Sequence, residues 1–456
     1  HYNYWCSPVN PSSANYTVAS VLKDGTSSAS SPFNPGNISF GYDIYYADGP
    51  ITNPIKISSR WIYKYAANSS DYFLWQAVRE TGSIKVGEGF TMKGTMGSDG
   101  YNPGGVELSA NNPYNASPFV PSAQRYDFRG KPNDGNVIID VRSGNLTLVG
   151  NPYSSAINLN LFLLENSGYT VDYVTGAITP GLPDPFAPNS GTITGEAFYW
   201  EHTKTNATTH AILGYVGGYG TYVPNNPNAF GPGTYNNATW NTLNLDGTVN
   251  TVGGGAGTER YKRMFSPIGQ GFIIKGVVPT PSPDAQMKND YRVFVKEGGL
   301  TTNSEFERNA TNENSTDTNE NWPAIPNLTG TDYTQFSKAQ LPQIKIHTIL
   351  NNQFTRETVL AFNPNTNDGY DFAFDAATQE LNLPNDAYFP IVDNKQFVIS
   401  TLPFEITKRI PFAVKASTES NFRVLVGNLI NFDLADDILT KSIHQQRLCF
   451  CFRNSA

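Results

Sequence analysis

The chain has 456 residues and a net charge of −8, with 15% charged and 13% aromatic residues. At roughly 150 residues per domain, that length suggests about three domains. The acidic balance, with no Lys/Arg cluster to track a phosphate backbone, excludes nucleic acid as a partner; the aromatic and β-branched content excludes a disordered chain, and no run of about 18 apolar residues exists to form a membrane helix.

Along the chain, short strand-like runs alternate with turn residues. Tyr, Phe, Val, Ile and Thr suit pleated, half-buried surfaces, while 40 Gly and 31 Pro join Asn, Asp and Ser in turns. The runs are NISFGYDIYYA (37–47), RWIYKYA (60–66), YFLWQAV (72–78), NVIIDV (136–141), LTLVG (146–150), GFIIKGVV (271–278), YRVFVK (291–296), QIKIHTIL (343–350), QFVIS (396–400) and FRVLVGNLI (422–430). Strand, turn, strand at this spacing predicts sandwiches or barrels. One short helix is expected, at INLNLFLLE (157–165). The stretch Thr301–Trp322 is almost wholly polar and reads as a loop or linker.

A repeat organises these elements. The octapeptide Gly87–Gly94 (GEGFTMKG) matches Gly269–Gly276 (GQGFIIKG), giving G-x-G-F-x-x-K-G twice. Other landmarks keep the same order: Tyr4–Val9 with Gly150–Ala156, Trp61–Tyr63 with Phe198–Trp200, and Arg125–Phe128 with Asp290–Phe294. The offsets are unequal, so the copies differ by insertions. The extra length in the second copy falls around Gly217–Arg263 and is expected in surface loops. In the repeated strand the glycines permit a bulge or close backbone approach. Phe90 and Phe272 should plug the core. Lys93 and Lys275, three residues on, should lie on the opposite strand face, towards solvent or a carboxylate. A phosphate-cradling loop would need a helix N-terminus next, and apolar strand residues follow instead.

Searches for chemistry find no metalloprotease, nucleophile-elbow, P-loop or dinucleotide motif. His202 and His210 lie near Glu201 with no nucleophile assigned to them. The cysteines Cys6, Cys449 and Cys451 are odd in number and lack C-x-x-C spacing, which argues against a disulfide framework or zinc ribbon. The run Asn363–Gly369 (NPNTNDG), with Asp371 and Asp375, fits either an Asx-rich turn ahead of a strand or a calcium loop. Its glycine is misplaced for an EF-hand and the twelfth-position Glu is absent. The metal reading takes Asn363, Asn365, Asn367, Asp368 and Asp371 as ligands. No other cofactor is expected.

The landmarks Tyr2–Val9 (YNYWCSPV), Ile84–Gly94 (IKVGEGFTMKG), Tyr126–Gly135 (YDFRGKPNDG), Leu148–Ile157 (LVGNPYSSAI), Phe198–His202 (FYWEH), Gly217–Tyr219 (GGY), Ile268–Gly276 (IGQGFIIKG), Arg292–Glu297 (RVFVKE) and Asp368–Ala376 (DGYDFAFDA) run in order along nearly the whole chain. As a set they resemble the C-terminal region of large type IX-secreted surface proteins of Bacteroidota, the gliding-associated and adhesin-like kind. The resemblance implies export by the type IX secretion machinery, a place at the bacterial cell surface or outside the cell, contacts with outer-membrane or cell-surface components, and an adhesive role. It carries over no catalytic residue. The tail departs from the pattern: Phe422–Leu439 begins like the lead-in to a sorting domain, and Lys441–Ala456 does not continue it.

The expected architecture is all-β, with tandem β-sandwich or jelly-roll-like domains. These are a first sandwich module at 1–142, its divergent copy at 143–300, a polar linker at 301–325 and a C-terminal β domain at 326–456. His1 is not an initiator Met and no signal-peptide pattern follows it, so the chain reads as a mature or internal piece of something longer. The expected function is a non-catalytic surface and adhesion segment with a glycan ligand. The alternatives are an accessory or carbohydrate-binding region of a secreted hydrolase, and a homo-oligomeric, self-assembling filament subunit.

Overall fold

The computed structural model describes residues 2–12, 14–24, 35–42, 55–66, 74–93, 126–181, 191–202, 215–245, 248–256, 263–277, 284–295, 321–380, 383–392 and 395–432. The polar stretch through Glu320, His210, Cys449, Cys451 and the tail after Lys441 lie outside the described residues. The fold is all-β. Among the described residues, helix is confined to Val18–Val21, Leu159–Asn166 and a few 3₁₀ turns. The longer helix sits one or two residues from its expected position.

Both copies of the repeat build the same sheet start. In the first, Tyr2–Cys6 pairs antiparallel with Gly89–Lys93, which pairs with Tyr63–Lys64, which pairs with Gln76–Ala77. In the second, Leu146–Gly150 pairs with Gly271–Lys275, followed by Ala197–His202 and Val216–Val223. The registers correspond: Cys6 faces Gly89 as Gly150 faces Gly271, and Tyr2 faces Lys93 as Leu146 faces Lys275. Each sheet start leads through a short strand into a capped helix. Thr17 caps Val18–Val21, and Asn158 caps Leu159–Asn166.

The two strand pairs meet at their glycines. The backbone N–H of Cys6 donates to Gly269 O at 2.9 Å, and that of Gly150 donates to Gly87 O at 3.3 Å. Bridges join Trp5 to Gln270 and Val149 to Glu88. Each contact is the counterpart of the other once Cys6 is matched to Gly150 and Gly87 to Gly269. The copies therefore pack about a local pseudo-two-fold. A Cβ on Gly150 would lie 2.5 Å from Cys6 Cβ and closer still to Gln270 O. A Cβ on Gly271 would lie 2.8 Å from Tyr4 C, and one on Gly89 2.8 Å from Leu148 Cγ.

The repeated phenylalanines behave as expected. Phe90 fills the first core with Tyr16, Val18, Ile57 and Ile84, and Phe272 fills the second with Phe162, Tyr199 and Tyr291. The opposite strand faces pack copy against copy. Leu148, Phe198 and Ile273 of the second copy meet Tyr4 and Tyr65 of the first.

Two expectations change. The described part of Gly217–Arg263 is largely strand and not a surface-loop insertion. Val216–Val223, Thr234–Asn236, Thr239–Leu243 and Val249–Ala256 are strands that widen the second sheet to seven. Runs such as VGGYGTYV lack polar alternation because most of their residues are buried. Lys93 does not face solvent. It is 1% exposed, and its ammonium lies 4.3 Å from the Trp61 ring centroid, 4.5 Å from Tyr2 and 5.2 Å from Tyr215. Three ring faces supply the negative quadrupole potential that a buried cation needs. Lys275 is half-buried near Glu196, as a carboxylate partner would have it.

The C-terminal sheet runs Ala376–Ala377, Phe397–Leu402, Gln353–Phe362, Gln343–Leu350, Phe422–Ile430. Its central hairpin turns on Asn351 and Asn352, both with positive φ (49° and 63°), which matches the right-handed strand twist. Leu360, Phe362, Phe389, Phe397 and Leu402 form a core of its own, while neighbouring segments reach into the second copy. Trp322, Ile325, Tyr333 and Phe336 join the second copy's core, as do Ala373 and Phe374. A polar seam completes the join. Arg356, 1% exposed, donates to Asp386 at 2.7 Å and to Glu380 at 3.0 Å, and Glu380 accepts the Tyr219 N–H at 3.3 Å. Burial opposes the charge on Arg356, but the two carboxylates outweigh it and hold the guanidinium protonated.

Gly150→Ala should cost about 1–3 kcal/mol in urea unfolding, because the new methyl has no room at the crossing. Gly36→Ala, where nothing lies within 4 Å, should stay within about 0.5 kcal/mol of the parent. Equal effects would show that the crossing tolerates a side chain.

Candidate functional site

The residues singled out for calcium are brought together, but as a self-bonded turn. Asn363 is fully buried; its amide donates to Asn225 O at 2.8 Å and its Oδ1 accepts the Asn365 N–H at 2.9 Å. Asn367 Oδ1 accepts the Gly369 N–H at 2.6 Å, and Asp371 accepts the Asn367 N–H at 2.9 Å. The Asp368 carboxylate is held by the Lys408 ammonium. Among the described residues no three His, Cys, Asp or Glu side chains group as a metal site would require. These five positions fit the Asx-turn alternative and tie the second sheet to the C-terminal one. Glu201 and His202 have these surroundings: Glu201 is buried and accepts from the Tyr235 hydroxyl, while the His202 ring sits edge-on to Tyr215.

A different constellation forms a solvent-open cavity of about 190 Å³ at the C-terminal end of the helix Leu159–Asn166. The helix is buried from Leu159 to Leu164 and surfaces only at Glu165 and Asn166. Asn166 locks the neighbouring strand Asp284–Met287 to the helix. Its amide donates to Gln286 O at 3.0 Å, and its Oδ1 accepts the Gln286 N–H at 2.8 Å. That strand alternates: Ala285 and Met287 enter the core, while Asp284 and Gln286 face outward, with Lys288 next on the same side.

The Glu165 carboxylate is the hub. Oε1 accepts from the Tyr173 hydroxyl at 2.6 Å; Oε2 accepts from Lys288 Nζ at 2.6 Å and from the Tyr291 hydroxyl at 2.8 Å. Burial first, then the adjacent carboxylate, pushes both phenols up, so they remain donors. The result is a fixed, charge-neutralised acceptor beside a row of outward polar side chains.

Residues 1–438 match the family described as Domain of unknown function (DUF8693). The chain belongs to that family. No curated protein and no solved structure matches it. The DUF8693 match runs through both copies of the repeat and on through the C-terminal sheet.

This cavity was not legible in the sequence. Glu165 and Lys288 are 123 positions apart, and neither sits in a motif. A second feature of the DUF8693 fold escaped sequence reading for the same reason. Glu196 is 1% exposed, its Oε2 makes no hydrogen bond, and burial pushes its carboxyl above the ordinary 4.5 against the pull of Thr194 and Lys275. Asp375, nearby, is raised by burial as well. A raised folded pKa stabilises below the unfolded value and loses that contribution as pH rises through the folded one. Glu196→Gln, neutral at every pH, should therefore gain stability over the parent at pH 7 and match it near pH 4. Urea titrations at the two pH values measure this. An equal difference at both would show that Glu196 is ionised in the fold like an exposed carboxylate.

Proposed function

We propose that this chain is a non-catalytic structural and adhesive segment of a secreted bacterial surface protein, exported by the type IX route. The observation that carries the reading is the use made of the repeat. Gly89, Gly150 and Gly271 serve the crossing, Phe90 and Phe272 fill cores, and Lys93 is caged by rings. The repeated strands and their partners thus join the copies into one body, as a stalk or base of a larger adhesin requires. The ordered landmarks quoted for the surface-protein resemblance support the location. Antibody raised against the chain should label intact source cells, and beads coated with the folded chain should adhere to cell or glycan-coated surfaces at least tenfold above blank beads. Labelling only after lysis, or adhesion at the blank level, would dismiss the reading.

Self-assembly has a specific observation behind it. The strand Phe422–Ile430 ends the C-terminal sheet, and no strand among the described residues pairs with its outer edge. It is nine residues long, carries a single charge at Arg423, and leaves Leu425 and Val426 at 44% and 40% exposure. A long apolar edge of this kind templates pairing with another chain, and lysine is the usual block. In light scattering, the parent chain should associate as concentration rises and Val426→Lys should remain monomeric. Monomers for both would remove the edge as an assembly surface.

A further inference from the structure

We propose that the cavity between Glu165 and the outward row Asp284, Gln286 and Lys288 is a binding site for one neutral sugar ring. The inference rests on the adhesive reading and names the ligand class that such a surface would recognise.

Size comes first. At about 190 Å³ the cavity is smaller than the roughly 300–1,000 Å³ typical of drug-sized ligands. It suits a single ring. Its polarity then narrows the class. The lining is carboxylate, carboxamide, hydroxyl and ammonium, with Tyr291 as its one aromatic. An apolar ligand would leave these groups desolvated without partners, which is costly. An anion would meet two carboxylates, at Glu165 and Asp284. A divalent cation would meet the Lys288 ammonium beside Glu165, and no metal-holding trio forms among the described residues. A sugar hydroxyl is both donor and acceptor, and so matches a row that offers both kinds of group.

Three features make the site built rather than incidental. Tyr173, Lys288 and Tyr291 hold Glu165 in place from three directions. The double bond between Asn166 and the Gln286 backbone holds the strand at a set distance from the helix end. The Gln286 side-chain amide, by contrast, makes no hydrogen bond among the described residues, although its backbone is anchored. A rigid backbone carrying an uncommitted amide at the mouth of a polar cavity is ready for a ligand without a large ordering cost.

The test uses the folded chain with glucose, galactose, mannose and N-acetylglucosamine as probes, read by ligand-observed saturation-transfer NMR and by titration. At least one should bind in the millimolar range, and Gln286→Ala should weaken it tenfold or more. Gln286→Ala removes an outward side chain, so its unfolding midpoint should equal the parent's; Thr192→Val, which removes a lining hydroxyl that donates to Asp284 O, provides a second variant expected to weaken binding. No saturation transfer from any of the four at about 50 mM, where a millimolar site would be filled, would overturn the proposal. So would sugar binding that both variants retain in full, or a response at these residues to inorganic phosphate or calcium alone. Sugar binding by a chain whose coated beads do not adhere would uphold the site and dismiss only the adhesive reading.

Discussion

Two strand pairs can cross in backbone contact only where no side chain stands between them. That steric constraint, met at Gly89, Gly150 and Gly271, organises the molecule. Because Gly150 lacks a Cβ, Cys6 and Gln270 can reach it, and the reciprocal hydrogen bonds Cys6 to Gly269 and Gly150 to Gly87 can both form. The crossing also removes the outer faces of both strand pairs from water. This is why GFTMK is buried at every position and GFIIK at all but its lysine, where an ordinary sandwich strand would alternate. Burial on both faces in turn forces the Lys93 ammonium into its aromatic cage. Cys6, sealed at the same point, has its thiol pushed up to about 12 by burial, which leaves it a small packing group with little thiolate character.

The second copy and the C-terminal sheet are joined by a different chemistry. Apolar contact is present at Val223, Val359 and Ala376, but much of the seam is polar. Asn225 bonds Thr401 and accepts from Asn363, Asn236 bonds the Glu357 carbonyl, and Arg356 gathers Asp386 and Glu380. Buried groups of this kind contribute little net stability when satisfied and cost several kcal/mol when one partner is lost. They therefore specify one relative placement of the sheets more than they strengthen it. The Asn-rich composition has a structural role here: short amides cap turns and bridge backbone groups that apolar side chains would leave unpaired.

The cavity beside Glu165 follows from the same construction. The helix Leu159–Asn166 is apolar around nearly its whole circumference because it plugs the second core, so only its last turn can carry polar side chains. That turn meets the outward face of Asp284–Met287, whose register is set by pairing with Val137–Asp140. A cavity at this place thus depends on where a buried helix ends and on which face of a two-stranded ladder is wet.

The sequence alone determined the strand-rich class, the position of the helix, the repeated G-x-G-F-x-x-K-G strand and the core role of its phenylalanines. Each is a local or periodic property: propensity, alternation, turn chemistry, or identity at a fixed spacing. It also held the Asx-turn alternative at Asn363–Gly369, which the loop's own short-range hydrogen bonds satisfy. Only the tertiary structure decided the rest. The Gly217–Arg263 segment reads as a loop because glycine and asparagine favour turns, yet it adds strands to a sheet whose edge is supplied by distant residues. Lys93 reads as a charge facing solvent or a carboxylate because three residues separate it from Phe90, yet it is buried where Tyr2, Trp61 and Tyr215 converge on it from three separate segments. The Glu165 hub joins four side chains from positions 165, 173, 288 and 291, and no spacing rule connects them. Their meeting depends on the helix end and the strand Asp284–Met287 packing together, which is a property of packing and not of any local stretch.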